Sequence, residues 1–172
     1  TGWVNATQTA KLKPSDGSTS DEFGNSICIS GDNVLVGAFR GDDYGLNSGS
    51  AYIFTKPLTG WVNATQTAKV LPSSGGTAYH FGFSVSISGH NALVGTHQEN
   101  GNGFRKGAAY FYQNHLSIWS NTSSELVKTI PASYSLNEGD HYGYSVAVDG
   151  NYAVVGAPYT SDSDSGMVYV LF

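Results

Sequence analysis

Three Asn-X-Ser/Thr triplets keep one beat along this chain: Asn5-Ala6-Thr7, Asn63-Ala64-Thr65 and Asn121-Thr122-Ser123, each asparagine two residues after a tryptophan (Trp3, Trp61, Trp119). Such a triplet accepts an N-linked glycan when it is exposed on a secreted chain. Copying of one unit accounts for the first two, whose flanks are identical. The third keeps the triplet although its flanks have diverged. The expectation is N-linked glycans at Asn5, Asn63 and Asn121, and an extracellular protein.

Other candidate chemistry is thinner. Asp162-Ser163-Asp164-Ser165-Gly166 spaces two carboxylates by two ahead of a glycine. That is part of the oxygen-rich loop a calcium ion needs. Solvated turn carboxylates that bond local backbone give the same letters, and this reading is favoured. Cys28 is the only cysteine, so an internal disulfide and a Cys-based zinc site are both excluded. It stands where the later units carry Ser86 and Ala147, which reads as a small side chain against a neighbouring strand. His80 and His141 occupy the place held by Glu22 in the first unit, which reads as surface. His90, His97 and His115 show no metal-ligand spacing. Tyr44, Phe104 and Tyr159 sit near loops, where they could stack on sugars or simply pack. Arg40-Gly41-Asp42 spells a short adhesion tripeptide that also arises readily by chance.

Catalytic motifs are lacking. Gly82-Phe83-Ser84-Val85-Ser86 has no second glycine of a nucleophile elbow. Gly101-Asn102-Gly103 has no βαβ context for a dinucleotide. The expectation is a non-enzyme that requires no cofactor.

The elements that must carry these residues come from the composition and the repeat. The chain has 172 residues, 40% hydrophobic and only 12% charged, with 22 glycines. That favours many short strands and turns over long surface helices. A net charge of −5 with scattered Lys and Arg argues against nucleic acid as a partner. No apolar run is long enough to span a membrane.

Thr1 to Lys11 and Thr59 to Lys69 are identical, and a weaker copy starts at Trp119. Phe23-Gly24, Phe81-Gly82 and Tyr142-Gly143 each open a run with period-two alternation: Ile27 and Ile29, Val85 and Ile87, Val146 and Val148. Such alternation marks a strand with one buried face. A tight turn leads to an apolar run (Val34 to Gly37, Ala92 to Gly95, Ala153 to Gly156) that reads as a strand buried on both faces. A third strand follows at Ala51 to Phe54, Ala109 to Tyr112 and Val168 to Leu171, and the Trp…Ala-Lys segment supplies a fourth. Four short strands per unit are the pattern of a propeller blade.

The runs FGNSICISG, FGFSVSISG, SGSAYIF and the VVGAP from Val154 to Pro158 together resemble FG-GAP repeats, over nearly the whole chain. The resemblance implies blades of the integrin α-subunit type, and calcium in acidic loops between second and third strands. The matching loops hold Asp42 and Asp43, Glu99, and Asp162 and Asp164. The first two units lack the proline of the motif, and the third opens with Tyr142.

Written in order, residues 1–12 are an orphan outer strand, 13–70 and 71–130 are two blades, and 131–172 form a three-stranded partial blade. An unpaired edge is a template for another chain. The expectation is that Trp3, Ala10 and Leu12 of one protomer complete the blade edged by Tyr169, Val170 and Leu171 of the next. Such a head-to-tail contact gives a ring or a filament. The expected partner is the protein itself, with glycans or a cell-surface protein as further partners. Two other readings stand beside a self-assembling structural or adhesive glycoprotein: a carbohydrate- or calcium-dependent binding propeller, and a piece of a longer integrin-like propeller.

Overall fold

The computed structural model describes residues 7–98, 106–114, 118–121, 125–129, 137–160 and 165–172. Each unit is an antiparallel meander. The first blade pairs β1 (Ser26–Ser30), β2 (Asn33–Ala38), β3 (Ser50–Thr55) and β4 (Ala68–Val70) in chain order. The second pairs β5 (Ser84–Ser88), β6 (Asn91–Thr96), β7 (Ala108–Gln113) and β8 (Glu125–Thr129). The third pairs β9 (Ser145–Asp149), β10 (Tyr152–Ala157) and β11 (Met167–Leu171). No helix occurs among the described residues.

The registers agree between blades. Val36 faces Tyr52, Val94 faces Tyr110, and Val155 faces Tyr169 across the same pair of strands. The turn between first and second strands is set by Gly31, Gly89 and Gly150, at φ of 55°, 55° and 52°. A two-residue hairpin turn that matches strand twist needs positive φ there. The fourth strand is shorter than the Trp…Ala-Lys segment suggests. Trp61 precedes it and packs with Leu12 and Phe23 over Val36, Tyr52 and Phe54.

The blades stack face to face. Leu35, Ile53, Ala68 and Val70 of blade 1 meet Phe81, Val85, Ile87, Val94, Tyr110 and Tyr112 of blade 2 in one core. Leu93, Ala109 and Phe111 of blade 2 meet Tyr142, Val146, Val148, Val155 and Tyr169 of blade 3 in another. Each large apolar side chain buried this way contributes about 1.5–3 kcal/mol.

One expectation is corrected. The alternating face of the first strand is buried in blade 2, where Val85 and Ile87 are 8% and 3% exposed. In blade 1 Ile27 and Ile29 are 72% and 63% exposed. Alternation defines a face, but here no sheet among the described residues lies in front of β1.

Candidate functional site

The junctions between blades repeat a backbone contact that the side chains on either side only frame. Phe81-Gly82 of blade 2 lies in a socket on blade 1 formed by Ser26, Gly37 and Gly49. The Ser26 hydroxyl donates to the Gly82 carbonyl at 2.7 Å, and the Phe81 N–H donates to the Ser48 carbonyl at 2.9 Å. The next junction repeats this atom for atom. Ser84 Oγ donates to the Gly143 carbonyl at 2.8 Å, and the Tyr142 N–H donates to the Lys106 carbonyl at 2.9 Å. There is no room for a side chain. A Cβ on Gly37 would stand 1.9 Å from the Gly82 oxygen, and one on Gly95 2.2 Å from the Gly143 oxygen.

Cys28 belongs to the same set. Its sulfur, half-buried, accepts the Ile87 N–H at 3.4 Å. In the next junction Ser86 Oγ accepts the Val148 N–H at 3.0 Å. A structural role at this position agrees with the sequence reading, while the burial expected there is only partial. The specific task, accepting a neighbouring blade's backbone N–H, was not legible there.

Among the described residues both ends of the stack present exposed apolar side chains. On blade 3 the face turned away from blade 2 exposes Val168 (68%) and Val170 (62%), with Phe172 beyond them. A cleft of about 390 Å³ lies there, lined by Tyr144, Ser145, Gly156, Pro158, Gly166 and Met167 among others. At the other end Ile27 and Ile29 are uncovered on blade 1.

The predicted assembly residues fall at these two ends. Ala10 and Leu12 lie by blade 1, where Leu12 packs on the Val36–Tyr52–Phe54 cluster. Within the chain they do not reach Tyr169, Val170 and Leu171, since β11 is the edge of its sheet. Trp3 lies outside the described residues.

The triplet asparagines have a structural task. The Lys11 N–H donates to Asn63 Oδ1 at 2.7 Å, and the Lys69 N–H to Asn121 Oδ1 at 2.8 Å. Each asparagine thus ties down the Ala-Lys segment of the preceding repeat. This alone gives a reason for the asparagine to recur in the diverged third copy. The bonds use Oδ1 and leave Nδ2, the atom that carries a glycan, available on exposed residues. Asn5 lies outside the described residues.

The acidic loop of blade 1 holds a lysine. Lys69 Nζ donates to Asp16 Oδ2 at 2.6 Å and to Asp43 Oδ1 at 2.5 Å, and lies 5.3 Å from the centre of the Tyr52 ring. Asp43 also accepts from Ser50 Oγ, and Asp42 Oδ1 accepts the Asn47 N–H at 2.8 Å. Burial by itself would push the Lys69 ammonium down. Hydrogen bonds to Asp16 and Asp43 outweigh it and hold the group above the ordinary lysine range. Burial likewise opposes ionisation of Asp16, but Lys69 prevails and holds that carboxyl below its ordinary range. Burial is the chief cause that raises the Tyr52 phenol.

As donors, Asp42 and Asp43 fit calcium poorly, because the ammonium already neutralises Asp43 and a second cation would have to displace it. Among the described residues no group of three His, Cys, Asp or Glu side chains could hold a metal ion. Asp162, Asp164 and Glu99 lie outside the described residues. The Arg40-Gly41-Asp42 tripeptide is tied to its own chain: Arg40 pairs with Glu22 at 3.0 Å, and Gly41 is buried.

A histidine row escaped the sequence reading. His80 and His141 are half-buried, contrary to the surface position expected for them. His97 lies between them, with ring centres 5.3 Å from each. Phe39 and Phe83 flank one side, and Tyr144 and Tyr159 the other. His97 follows the second strand while His80 and His141 precede first strands, so no fixed sequence interval connects the three. Glu22, His80 and His141 share left-handed backbone at φ of 54°, 60° and 55°. The position is set by that conformation before the Phe/Tyr-Gly step, whichever polar side chain fills it.

Three all-β meanders stacked face to face, each locked to the next through an aromatic-glycine step, define a propeller-type repeat protein. The family model of the FG-GAP repeat matches residues 6–54, 64–112 and 135–172, most of the chain, and the protein belongs to the FG-GAP repeat family. No curated protein matches the sequence.

Proposed function

We propose that this protein is a structural or adhesive module that acts outside the cell and is completed head to tail by a second copy of itself. The observation that carries the reading is the repeated lysine–asparagine bond. Asn121 of blade 2 holds Lys69, which belongs to the fourth strand of the blade in front. Asn63 of blade 1 holds Lys11 in the same way. Residues 10–12 therefore stand where the fourth strand of a blade ahead of blade 1 belongs. In blade 1 the fourth strand pairs Val70 with Ala51, Lys69 with Tyr52 and Ala68 with Ile53. Transferred to β11, the pairs are Leu12 with Val168, Lys11 with Tyr169 and Ala10 with Val170. This addition would cover an open edge of the kind that recruits other chains.

Sedimentation of the full chain over a wide concentration range tests the reading. Dimers or larger species are expected, and removal of residues 1–12 returns the monomer. A chain that stays monomeric at every concentration overturns the proposal. Glycans on Asn5, Asn63 and Asn121 accompany it, on the exposure of Asn63 and Asn121. Mass spectrometry of protein secreted from a glycosylating host reads their occupancy directly.

A second reading, glycan binding through the loops, has one observation in its favour. Tyr44 and Tyr159 are 44% and 48% exposed, as residues that stack on sugars must be. Binding to a glycan array, lost in Tyr159→Ala, is its test. Calcium at Asp162 and Asp164 belongs to that same reading, and melting with and without calcium tests it.

A further inference from the structure

We propose that the cleft between Ser145, Gly156 and Gly166 is a socket for the Phe23-Gly24 step of a second copy. The inference rests on the head-to-tail reading above and assigns the atoms that make the contact.

The three sockets are equivalent by register. Gly37 pairs with Ala51, Gly95 with Ala109, and Gly156 with Val168. Gly49, Gly107 and Gly166 each precede the third strand by the same step. Two of the three are filled. Gly49 forms a parallel bridge with Phe81, and Gly107 forms one with Tyr142. A Cβ on Gly49 or Gly107 would meet the oxygen of that aromatic residue at 2.1 or 1.9 Å. At the third socket the corresponding contacts are different. The atoms nearest a Cβ on Gly156 belong to Ser145, and those nearest one on Gly166 to Pro158 of its own loop, not to an incoming aromatic-glycine step. What fills the first two sockets is an aromatic residue followed by glycine, and the volume left at the third is the cleft of about 390 Å³.

The plug is equally well defined. Phe23 already holds the pose that Phe81 adopts when docked. Its ring stands edge-on to Tyr52 and Phe54 at 5.7 and 6.0 Å. Phe81 stands edge-on to Tyr110 and Tyr112 at 5.5 and 6.3 Å. Gly24 has φ of 95° and no atom within 4 Å of a Cβ built upon it, whereas a Cβ on Gly82 would meet the Ser50 oxygen of blade 1 at 2.3 Å. Docking therefore makes Ser145 Oγ donate to the Gly24 carbonyl and the Phe23 N–H donate to the Ser165 carbonyl. It also lays Ile27 and Ile29 on the face of Val154, Val168 and Val170.

The copy-to-copy junction differs from the internal ones at two places. Ala147 stands where Cys28 and Ser86 accept an N–H, so that bond is lost. Asp149 stands where Ser30 accepts the Gly89 N–H at 3.0 Å, so a carboxylate meets the Gly31 N–H instead. With one bond fewer, the junction is weaker than the internal pair and reversible.

The test is sedimentation equilibrium of the full chain beside Gly156→Ala and Ser145→Ala. Gly156 does not have positive φ, and the Ser145 hydroxyl can rotate away from a new methyl, so Gly156→Ala fits the fold and obstructs only the plug. Gly156→Ala is expected to weaken association about tenfold and Ser145→Ala about fivefold, the worth of one hydrogen bond. Thermal melts of both variants in the monomer range are expected to match the parent. A parent chain that never associates overturns the head-to-tail reading itself. A parent that associates, with both variants associating equally well, overturns the socket and leaves that reading standing.

Discussion

The junction between blades 1 and 2 and the junction between blades 2 and 3 share their backbone contacts and few of their side chains. In both, a serine hydroxyl donates to a glycine carbonyl and an aromatic N–H donates to a carbonyl ahead of the third strand. Around that shared step the residues change freely. Phe81 becomes Tyr142, Cys28 becomes Ser86, and the Phe39–Phe83 contact gives way to His97–Tyr144. Blade stacking is therefore specified by glycines that admit a neighbouring backbone and by small acceptors that bond it. The large side chains supply cohesion with wide latitude in type.

The strongest way to break the first junction alone is to remove its plug. Phe81 is fully buried in the core shared by blades 1 and 2. Phe81→Ala is expected to cost about 3–5 kcal/mol, read as a fall in denaturation midpoint. The core between blades 2 and 3 contains none of its atoms. Amide exchange should therefore rise first across β1 to β5 and later across β9 to β11. Uniform loss of protection would mean that the two junctions are one cooperative unit.

Next in size is the contrast between two equivalent glycines. Gly37→Ala drives a methyl onto the Gly82 carbonyl at 1.9 Å, and is expected to cost about 3 kcal/mol, at the upper end for overpacking. Gly156→Ala is expected to leave the monomer's melting unchanged. Equal destabilisation by the two would show that the cleft on blade 3 is not the open counterpart of the filled socket on blade 1.

The sequence carried the first three strands of each blade and their order, because a threefold repeat writes the same pattern until chance is excluded; the outer segment read at residues 1–12 forms no strand among the described residues 7–12. It carried faces less well. Ile27 and Ile29 alternate as cleanly as Val85 and Ile87, and nothing in the letters says that only the latter have a sheet in front of them. For the site, position was visible and cause was not. The recurrence of Asn63 and Asn121 was plain, yet the bond to a lysine N–H of the preceding repeat depends on how blades stack. The Lys69 contact was hidden for a further reason. Asp16, Asp43 and Lys69 come from three segments that only the folded blade gathers, so the letters offered Asp42 and Asp43 only as turn carboxylates, or as calcium donors on the family resemblance.

That lysine also decides how much of blade 1's outer strand is held by charge. Lys69 faces Tyr52 across the ladder, and Asp16 and Asp43 gather on its ammonium. Lys69→Met keeps the stem over Tyr52 and leaves two carboxylates without their cation. The expected cost is about 1–2 kcal/mol, between the values for exposed and buried pairs. The pH dependence separates charge from packing. Asp16 has a folded-state pKa held below its ordinary value of 3.8, so its contribution is present above that value and is lost as pH falls through the lowered one. Lys69 is held above its ordinary 10.5, so its share is complete below that pH and is lost as pH rises through the raised value. The gap in melting temperature between parent and Lys69→Met should therefore be flat across neutral pH. It should narrow at both extremes, in acid below about pH 4 as Asp16 protonates. A gap that persists unchanged into strong acid would assign the effect of Lys69 to its stem against Tyr52 and not to its charge.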